Sequence, residues 1–263
     1  MKLMWIGGSH PRHLYYINQV RQAFPLAGAV LEKREHLIPS PPEGVDPVDR
    51  DNFVRHFQDR AEAEAAYFGN QQPPSENVLE VSEQDLNSEA TAGFVESIGP
   101  DVVLVFGCGL IKGPLYEVLP RHTVNLHLGL SPRYRGAATL FWPFYFLEPP
   151  YAGTTFHYIV AEPDAGDVIH QVVPELRRED GIHDVACRAV QASASEAVGL
   201  LRVFEREGGW TVHRQQATGK NFLASDFKPE HLRMIYNVYD NNMVAHFLDG
   251  KLRSKTPKLF RQF

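Results

Sequence analysis

Two polar residues stand two positions apart in the stretch NLHLGLSPRYRG, which runs from Asn125 to Gly136. Asn125 carries an amide and His127 an imidazole, and both close an apolar run that is typical of a buried strand. Residues i and i+2 of a strand project from the same face. The two hydrogen-bonding groups therefore point together at whatever lies beyond the strand end, where Gly, Ser and Pro predict an immediate turn.

Two further polar residues fall at or just after predicted strand ends. They are His157, within GTTFHYIV, and Asp164, within EPDAGD. Taken alone, a His is usually a surface or core residue, and an Asp before Ala-Gly is usually a turn former. In an open parallel α/β sheet, however, the ligand crevice lies beyond the carboxyl ends of the strands, so side chains placed there converge.

The elements that must position these side chains follow from apolar runs that alternate with turns and helical patterns. A strand at Lys2–Ile6, a Gly-rich turn, a helix at Arg12–Phe24 and a strand at Ala27–Leu31 open a parallel sheet. The same patterns predict helices over 48–68, 82–98 and 184–207 and strands over 101–106, 123–127, 153–160 and 168–173. We therefore predict an α/β fold with an open, mostly parallel, Rossmann-like sheet and helices on both faces.

The pattern changes after Gly208-Gly209. A short strand over 210–215, a helix over 229–248 and a basic tail over 251–263 are predicted there. We therefore divide the chain into a catalytic domain, 1–207, and a small C-terminal extension or subdomain, 208–263.

Composition limits the function classes. The formal net charge of -6 argues against nucleic acid or an anionic membrane as the main partner. Cys108 and Cys187 lie far apart, which fits a reducing compartment. The apolar start of the chain is too brief for a signal peptide, and no segment reaches the roughly 18 apolar residues of a membrane span. We expect a cytoplasmic protein without a membrane anchor.

Four motifs occur in order between Pro100 and Gln171: PDVVLVFG, NLHLGLSPRYRG, GTTFH and DAGD. In order and spacing they resemble the formyltransferase superfamily, which includes glycinamide ribonucleotide transformylase, methionyl-tRNA formyltransferase and the sugar N-formyltransferases. The chain is similar in size to the sugar branch. The resemblance implies transfer of a formyl group from 10-formyltetrahydrofolate to an amine, with no metal.

The resemblance also implies a catalytic trio of Asn125, His127 and Asp164. The attacking amine generates negative charge on the formyl oxygen, and the Asn125 amide and a protonated His127 would donate hydrogen bonds to it. Asp164 would orient the imidazolium and accept the proton that the amine loses, directly or through water. His157 matches a position near the site and is assigned a supporting role.

Two binding regions are implied as well. Glycines in the folate loops would let backbone approach the pterin, and the GGSH turn could bind phosphate. The residues implied for folate are Phe106, Gly107, Cys108, Gly109, Leu110, Ile111, Ala161, Glu162, Pro163, Gly166 and Asp167. Those implied for the substrate are Gly8, Ser9, His10 and Arg135.

The loop after His127 departs from the family pattern, H-x-S-L-L-P. Gly129 stands where the family has Ser, and Ser131 where it has Leu. We expect this loop to differ in shape or in its substrate contacts. The pair Arg135-Gly136 resembles the transfer-RNA and sugar branches more than the purine branch.

Other function classes fit the sequence less well. A nucleotide-binding oxidoreductase is disfavoured because G-x-G-x-x-G is absent, and a metal hydrolase because the 12 His residues include no H-E-x-x-H motif. An inactive binding protein would not need the whole trio. Among acceptors, a nucleotide-linked amino sugar is preferred, with hydroxyornithine or another small amine as the alternative. Length and charge argue against transfer RNA, and a homodimer is left open.

Overall fold

The computed structural model describes residues 1–33, 38–216 and 220–263, and its centre is one sheet of seven strands. The spatial order is β3-β2-β1-β4-β5-β7-β8. These strands are β1 (Leu3–Gly8), β2 (Leu26–Glu32), β3 (Val78–Val81), β4 (Val102–Phe106), β5 (Thr123–His127), β7 (Thr154–Tyr158) and β8 (Val168–Val172). A separate parallel pair joins β6 (Tyr134–Gly136) to β9 (Lys220–Phe222).

The sheet is parallel from β3 to β5, whereas β7 and β8 run antiparallel to their neighbours. The parallel strands β1 and β4 are buried along their whole length, as expected for a sheet covered on both faces. The predicted open, mostly parallel α/β sheet is confirmed.

Helices cover both faces. On one face α1 (Pro11–Ala23) and α6 (Ile182–Glu207) pack over Leu3 and Trp5, while on the other α3 (Glu89–Ile98) and α4 (Gly113–Val118) pack over Met4 and Ile6. The other α-helices described are α2 (Pro47–Phe68), α5 (Trp142–Tyr145) and α7 (Met243–Leu248). Single turns of 3-10 helix cover Pro149–Tyr151, Ala224–Asp226 and Pro229–His231, and a π-helix covers Met234–Val238. None of the described helices is both long and apolar enough to cross a membrane.

The structure differs from the predicted elements in two places before residue 100. Strand β3 was not predicted, and α3 begins at Glu89 rather than at Ser82. The Ser82 hydroxyl is used in a turn, where it accepts the Asp85 N–H at 3.2 Å, and Ser88 instead caps the helix by accepting the Thr91 N–H. Both serines suit a cap, so the sequence pattern could not distinguish them.

The predicted C-terminal elements are also shorter than expected. The helix predicted over 229–248 consists of a 3-10 turn, a π-helix and α7, and Asp240 and Asn241, with positive φ angles of 44° and 58°, separate the last two. Of the strand predicted over 210–215, only His213 forms a ladder pair, an isolated bridge to Val168.

The C-terminal segment packs against the rest of the protein. Leu232, Ile235 and Tyr236 share a hydrophobic cluster with Phe53 of α2 and Phe141. At the sheet edge, the N–H of Gln171 in β8 donates to the carbonyl of Phe260 at 2.8 Å. These contacts join residues 208–263 to the hydrophobic core of the preceding part of the chain.

Replacing Leu232 by Ala therefore should destabilise the whole fold. The side chain is fully buried in the shared cluster, and such a truncation costs about 2–5 kcal/mol. Urea unfolding followed by circular dichroism should show one transition at a lower midpoint. Leu223→Ala is the matched control because Leu223 is 59% exposed and should change stability little. A separate early transition, with the main one unchanged, would contradict the shared core.

Candidate active site

The amide of Asn125 is oriented by the neighbouring strand. Asn125 of β5 lies directly opposite His157 of β7, and its Nδ2 is 3.1 Å from the His157 Nε2. The His157 Nδ1 donates to the carbonyl of Tyr158 at 2.9 Å, so Nε2 accepts from Asn125 when it carries no proton. Among the described residues no partner takes the second amide N–H, which leaves it available to a ligand.

Asp164 brings the predicted trio together. It lies between β7 and β8 with a positive φ of 52°. One carboxylate oxygen, Oδ2, lies 3.3 Å from the His127 Nδ1 and accepts the Gly136 N–H at 3.1 Å. The other, Oδ1, lies 3.4 Å from the His157 Nε2. Asp164 thus contacts both histidines, and His157 links it to Asn125.

The imidazole of His127 is buried and hydrogen-bonded. Its Nε2 donates to the carbonyl of Tyr134 at 2.9 Å. Burial lowers the pKa of His127 below its usual 6.5, and the charges of His157 and Arg135 add to this against the opposing effects of Asp164 and Tyr134. The ring is therefore uncharged at neutral pH, which differs from the protonated His127 expected from the sequence. Its Nδ1 can receive a proton beside a carboxylate.

The carboxyl group of Asp164 is ionised under the same conditions. Burial raises its pKa, but the hydrogen bond and charge that His157 supplies when protonated, the charge of a protonated His127 and the Gly136 N–H outweigh this effect. The result is a pKa of about 2. The resting site therefore combines a carboxylate with a neutral imidazole.

The structure explains the glycine at position 129. A Cβ added to Gly129 would lie 2.5 Å from the carbonyl oxygen of Tyr134 and 2.6 Å from the Nε2 of His127. Any side chain would therefore enter the space of the hydrogen bond that orients His127. The next departure from the family pattern, Ser131, is held by its backbone, since its carbonyl accepts from the Gln171 side chain at 2.6 Å.

Sequence reasoning missed Gln215 and β9, which hold the site from the C-terminal segment. The Gln215 Nε2 donates to the carbonyls of Asp164 at 2.9 Å and Gly166 at 2.6 Å. Strand β9 pairs with β6, and Gly136 of β6 donates its N–H to Asp164. These contacts join residues far apart in the chain, and no local pattern indicates them.

The two predicted folate loops begin on the same face of the sheet. Cys108, Ile111 and Ile159 contact one hydrophobic cluster, while Leu110 is 56% exposed and Val160 is 40% exposed. In the second loop, Ala161, Glu162 and Pro163 are exposed, Asp167 is half-buried, and Gly166 is buried because its backbone lies against Tyr158.

Two glycines of the first loop have roles within the fold. Gly107 has a φ of 75°, and a Cβ there would overlap the ring of His13, which packs edge-on against Phe106. Gly109 donates its N–H to the Glu32 Oε2 at 2.7 Å. The His13 side chain of α1 thus fills the space above Gly107. This packing explains why residue 107 is a glycine, and no bound ligand is needed to explain it.

The predicted substrate residues occupy two places. Arg135 is buried, and its guanidinium lies 3.0 Å from the Glu162 Oε1, which directs it toward the second folate loop. Gly8 backs onto the Gly107 carbonyl, Ser9 donates its N–H to the Glu32 carbonyl at 3.1 Å, and His10 packs beside His13. Arg135 thus lies against the second folate loop, whereas Gly8 and Ser9 lie against Gly107 and Glu32.

A cavity of about 600 Å³ opens beside His127. Its walls come from the 136–141 segment, α2, α6 and Arg12 of α1. Sequence analysis missed this cavity, although His56, Arg60 and Glu64 of α2 are spaced by four and therefore lie on one helix face. Polar residues at this spacing are also common on solvent-exposed helices, so the spacing alone did not indicate a cavity.

Comparison with known families agrees with this geometry. The family model described as formyl transferase matches residues 54–200, more than half of the chain, including β5, the trio and the first part of α6. The chain belongs to the formyl transferase family. A methionyl-tRNA formyltransferase of Trichlorobacter lovleyi is 38% identical over 72 residues, which are 27% of this chain and 20% of that protein. The match thus spans about a fifth of the curated relative's length.

Solved structures share the formyl transferase fold. A sugar N-formyltransferase from Shewanella sp FDAARGOS_354 has a TM-score of 0.57 at 13% identity and covers 89% of this chain and 87% of its own. The formyltransferase PseJ from Anoxybacillus kamchatkensis, solved with UDP-4,6-dideoxy-4-formamido-L-AltNAc and tetrahydrofolate, has a TM-score of 0.53 at 18% identity. It covers 98% of this chain and 100% of its own. At these identities the likeness establishes the fold.

The electrostatic link between Asp164 and His127 can be tested by NMR. Asp164 raises the pKa of His127 against the effect of burial, so Asp164→Asn should lower that pKa further. Titration of the His127 ring resonances should show a pKa below 6.5 in the unmodified formyl transferase and a lower one in the variant. Asp167→Asn, in the same loop, should leave it unchanged. An unaltered His127 titration in Asp164→Asn would show that the contact carries no electrostatic coupling.

Proposed function

We propose that this protein transfers a formyl group from 10-formyltetrahydrofolate to the amine of a small molecule, with a nucleotide-linked amino sugar as the preferred acceptor. The observation that carries the proposal is the assembly of Asn125, His127 and Asp164 beside a cavity. Family membership supports formyl transfer, and the sugar formyltransferases among the structural neighbours support the acceptor class.

The residues near Asn125 fit a folate. Leu110 in the first loop and Val160 just before the second expose apolar side chains, as a flat aromatic ring system requires, and the exposed stretch 161–163 offers backbone groups. The folate assignment therefore covers residues 106–111, 161–163, 166 and 167, with Gly107 serving to seat His13. The bound co-substrate supplies an activated formyl group.

Asn125 provides the hydrogen-bond donor for the formyl oxygen. His157 takes one amide N–H and fixes the orientation of the group, so the other N–H is directed without further rearrangement. Donation to an oxygen that gains negative charge is stronger in the transition state than in the ground state. Such a donor contributes about 3 kcal/mol to catalysis.

His127 and Asp164 act as the proton-accepting pair. The neutral ring has a lone pair on Nδ1, because Nε2 donates to Tyr134. A proton released by the attacking amine is held between Nδ1 and the carboxylate, whose charge stabilises the imidazolium. This assignment replaces the oxyanion-donor role expected for a protonated His127.

Two other candidate functions remain. Hydroxyornithine or another small amine could serve as the acceptor, since the roles assigned to the trio involve only the formyl group and the attacking amine. A binding protein that retains the fold without catalysis would have no use for a donor, a base and a carboxylate in mutual contact. Transfer RNA stays disfavoured by the net charge of -6.

A screen of amines separates these functions. Nucleotide-linked amino sugars, hydroxyornithine and glycinamide ribonucleotide are each supplied with 10-formyltetrahydrofolate, and release of tetrahydrofolate is followed together with formation of the formamide by mass spectrometry. We expect turnover with an amino sugar nucleotide, unchanged by EDTA because the proposed mechanism uses no metal. Loss of the rate with EDTA and its recovery with zinc would overturn the mechanism, and absence of any formamide would favour a binding protein.

The trio should act mainly on the rate of the chemical step. Asn125→Ala, His127→Asn and Asp164→Asn should each lower kcat by roughly 100-fold or more with little change in KM. The double variant of His127 and Asp164 should lose little beyond the worse single variant, because the two residues act as one unit. Steady-state kinetics with Asn70→Ala, an exposed asparagine, as control test this. Near-normal kcat in all three folded variants would place the chemistry elsewhere.

A further inference from the structure

The cavity beside His127 contains a charged cluster in which two arginines share one carboxylate. Arg12 of α1 and Arg60 of α2 both contact the Glu64 Oε1, Arg60 at 3.3 Å. All three residues line the cavity, and Glu64 has only 12% of its side chain exposed. A single carboxylate between two guanidinium groups leaves one net positive charge.

The other titratable groups that line the cavity do not cancel this charge. His56 has its pKa lowered well below 6.5, first by burial and then by the charges of His183 and Arg60. Burial, followed by the charge of Arg60, lowers the pKa of His183 to about 3, and burial raises that of Cys187 to about 12. With His127 also uncharged at neutral pH, the described lining carries a net charge of plus one.

Two buried polar atoms in this lining lack hydrogen-bond partners among residues 1–33, 38–216 and 220–263. They are the Arg12 Nε and the His183 Nε2, and His183 is only 8% exposed. Buried donors and acceptors are rarely left unpaired in folded proteins, because each costs a lost hydrogen bond to water. The wall behind the charged cluster is therefore polar.

We propose that the cavity selects acceptor amines that carry a compact oxyanion, a carboxylate or a phosphate, which Arg12 and Arg60 bind. This proposal rests on the proposed function, because it specifies which acceptor amines the formyl transfer would use. Planar guanidinium groups match such oxyanions, and both arginines line the cavity. Glu64 is already engaged by two cations, so the cluster attracts an anion in preference to an ammonium group.

Isothermal titration calorimetry with three amino sugars tests this directly. Glucosamine has no oxyanion, glucosamine 6-phosphate has a phosphate and 2-amino-2-deoxyglucuronate has a carboxylate. At least one charged sugar should bind the unmodified protein roughly tenfold or more tighter than glucosamine, as expected for hydrogen bonds to a charged group. Which of the two binds identifies the oxyanion. Equal Kd values for all three sugars, or equal absence of binding, would overturn the proposal without any variant.

Variants of α2 then assign the selectivity to the cluster. Arg60→Gln removes the net charge and should weaken binding of the charged sugar roughly tenfold. Glu64→Gln keeps the shape but raises the net charge to plus two, so it should tighten binding. Arg50→Gln on the same helix, with 59% of its side chain exposed, should have no effect. A structural bridge between α1 and α2 would instead make both cavity variants weaken binding, which would refute the role assigned to charge.

The binding assay is independent of catalysis. If charge-selective binding is found but no amine is formylated, the proposed function fails and the oxyanion site stands. If an amine is formylated at rates that do not depend on its charge or on Arg60, the oxyanion site fails and formyl transfer stands.

Discussion

The geometry of the site depends on one partly buried carboxylate. Asp164 is approached by groups from three segments: His127 of β5, Gly136 of β6 and His157 of β7. A charge that has lost much of its contact with water persists only when hydrogen bonds and opposite partial charges replace that water. The positive φ of Asp164, 52°, adds a strain of about 1–3 kcal/mol, which the surrounding contacts must offset. Because all three groups contact the same carboxylate, the position of each one constrains the positions of the other two.

This dependence gives the C-terminal segment a definite part in the site. Gln215 holds the backbone on both sides of Ala165, and β9 fixes the strand that carries Gly136. The division into a catalytic domain over 1–207 and an extension over 208–263 thus separates segments that jointly build one structure. We propose that the extension serves first to position the Asp164 loop.

Much of this could be predicted from local pattern. Apolar runs predict the strands of the sheet because a parallel strand is buried on both faces, and the spacing of Asn125 and His127 places them on one face. The charge state of the His127 imidazole could not be predicted, because its pKa depends on burial and on neighbouring residues from other elements. The cavity was missed for the same reason. Arg12, Glu64 and His183 belong to three helices, and only the packing of α1, α2 and α6 brings them together.

The electrostatics of the cavity and the chemistry at His127 support each other. An amine attacks a formyl carbon only in its uncharged form, although most amines are protonated at neutral pH. Burial and the charge of Arg60 lower the pKa of His56 and His183, and an acceptor amine in the same cavity is exposed to the same two effects. In the proposed acceptor site, the cluster that binds an oxyanion at one end of the acceptor would thus disfavour the ammonium form at the other. Under the proposed function the proton lost on attack passes to His127, where the charge of Asp164 offsets part of the effect of burial on the imidazolium.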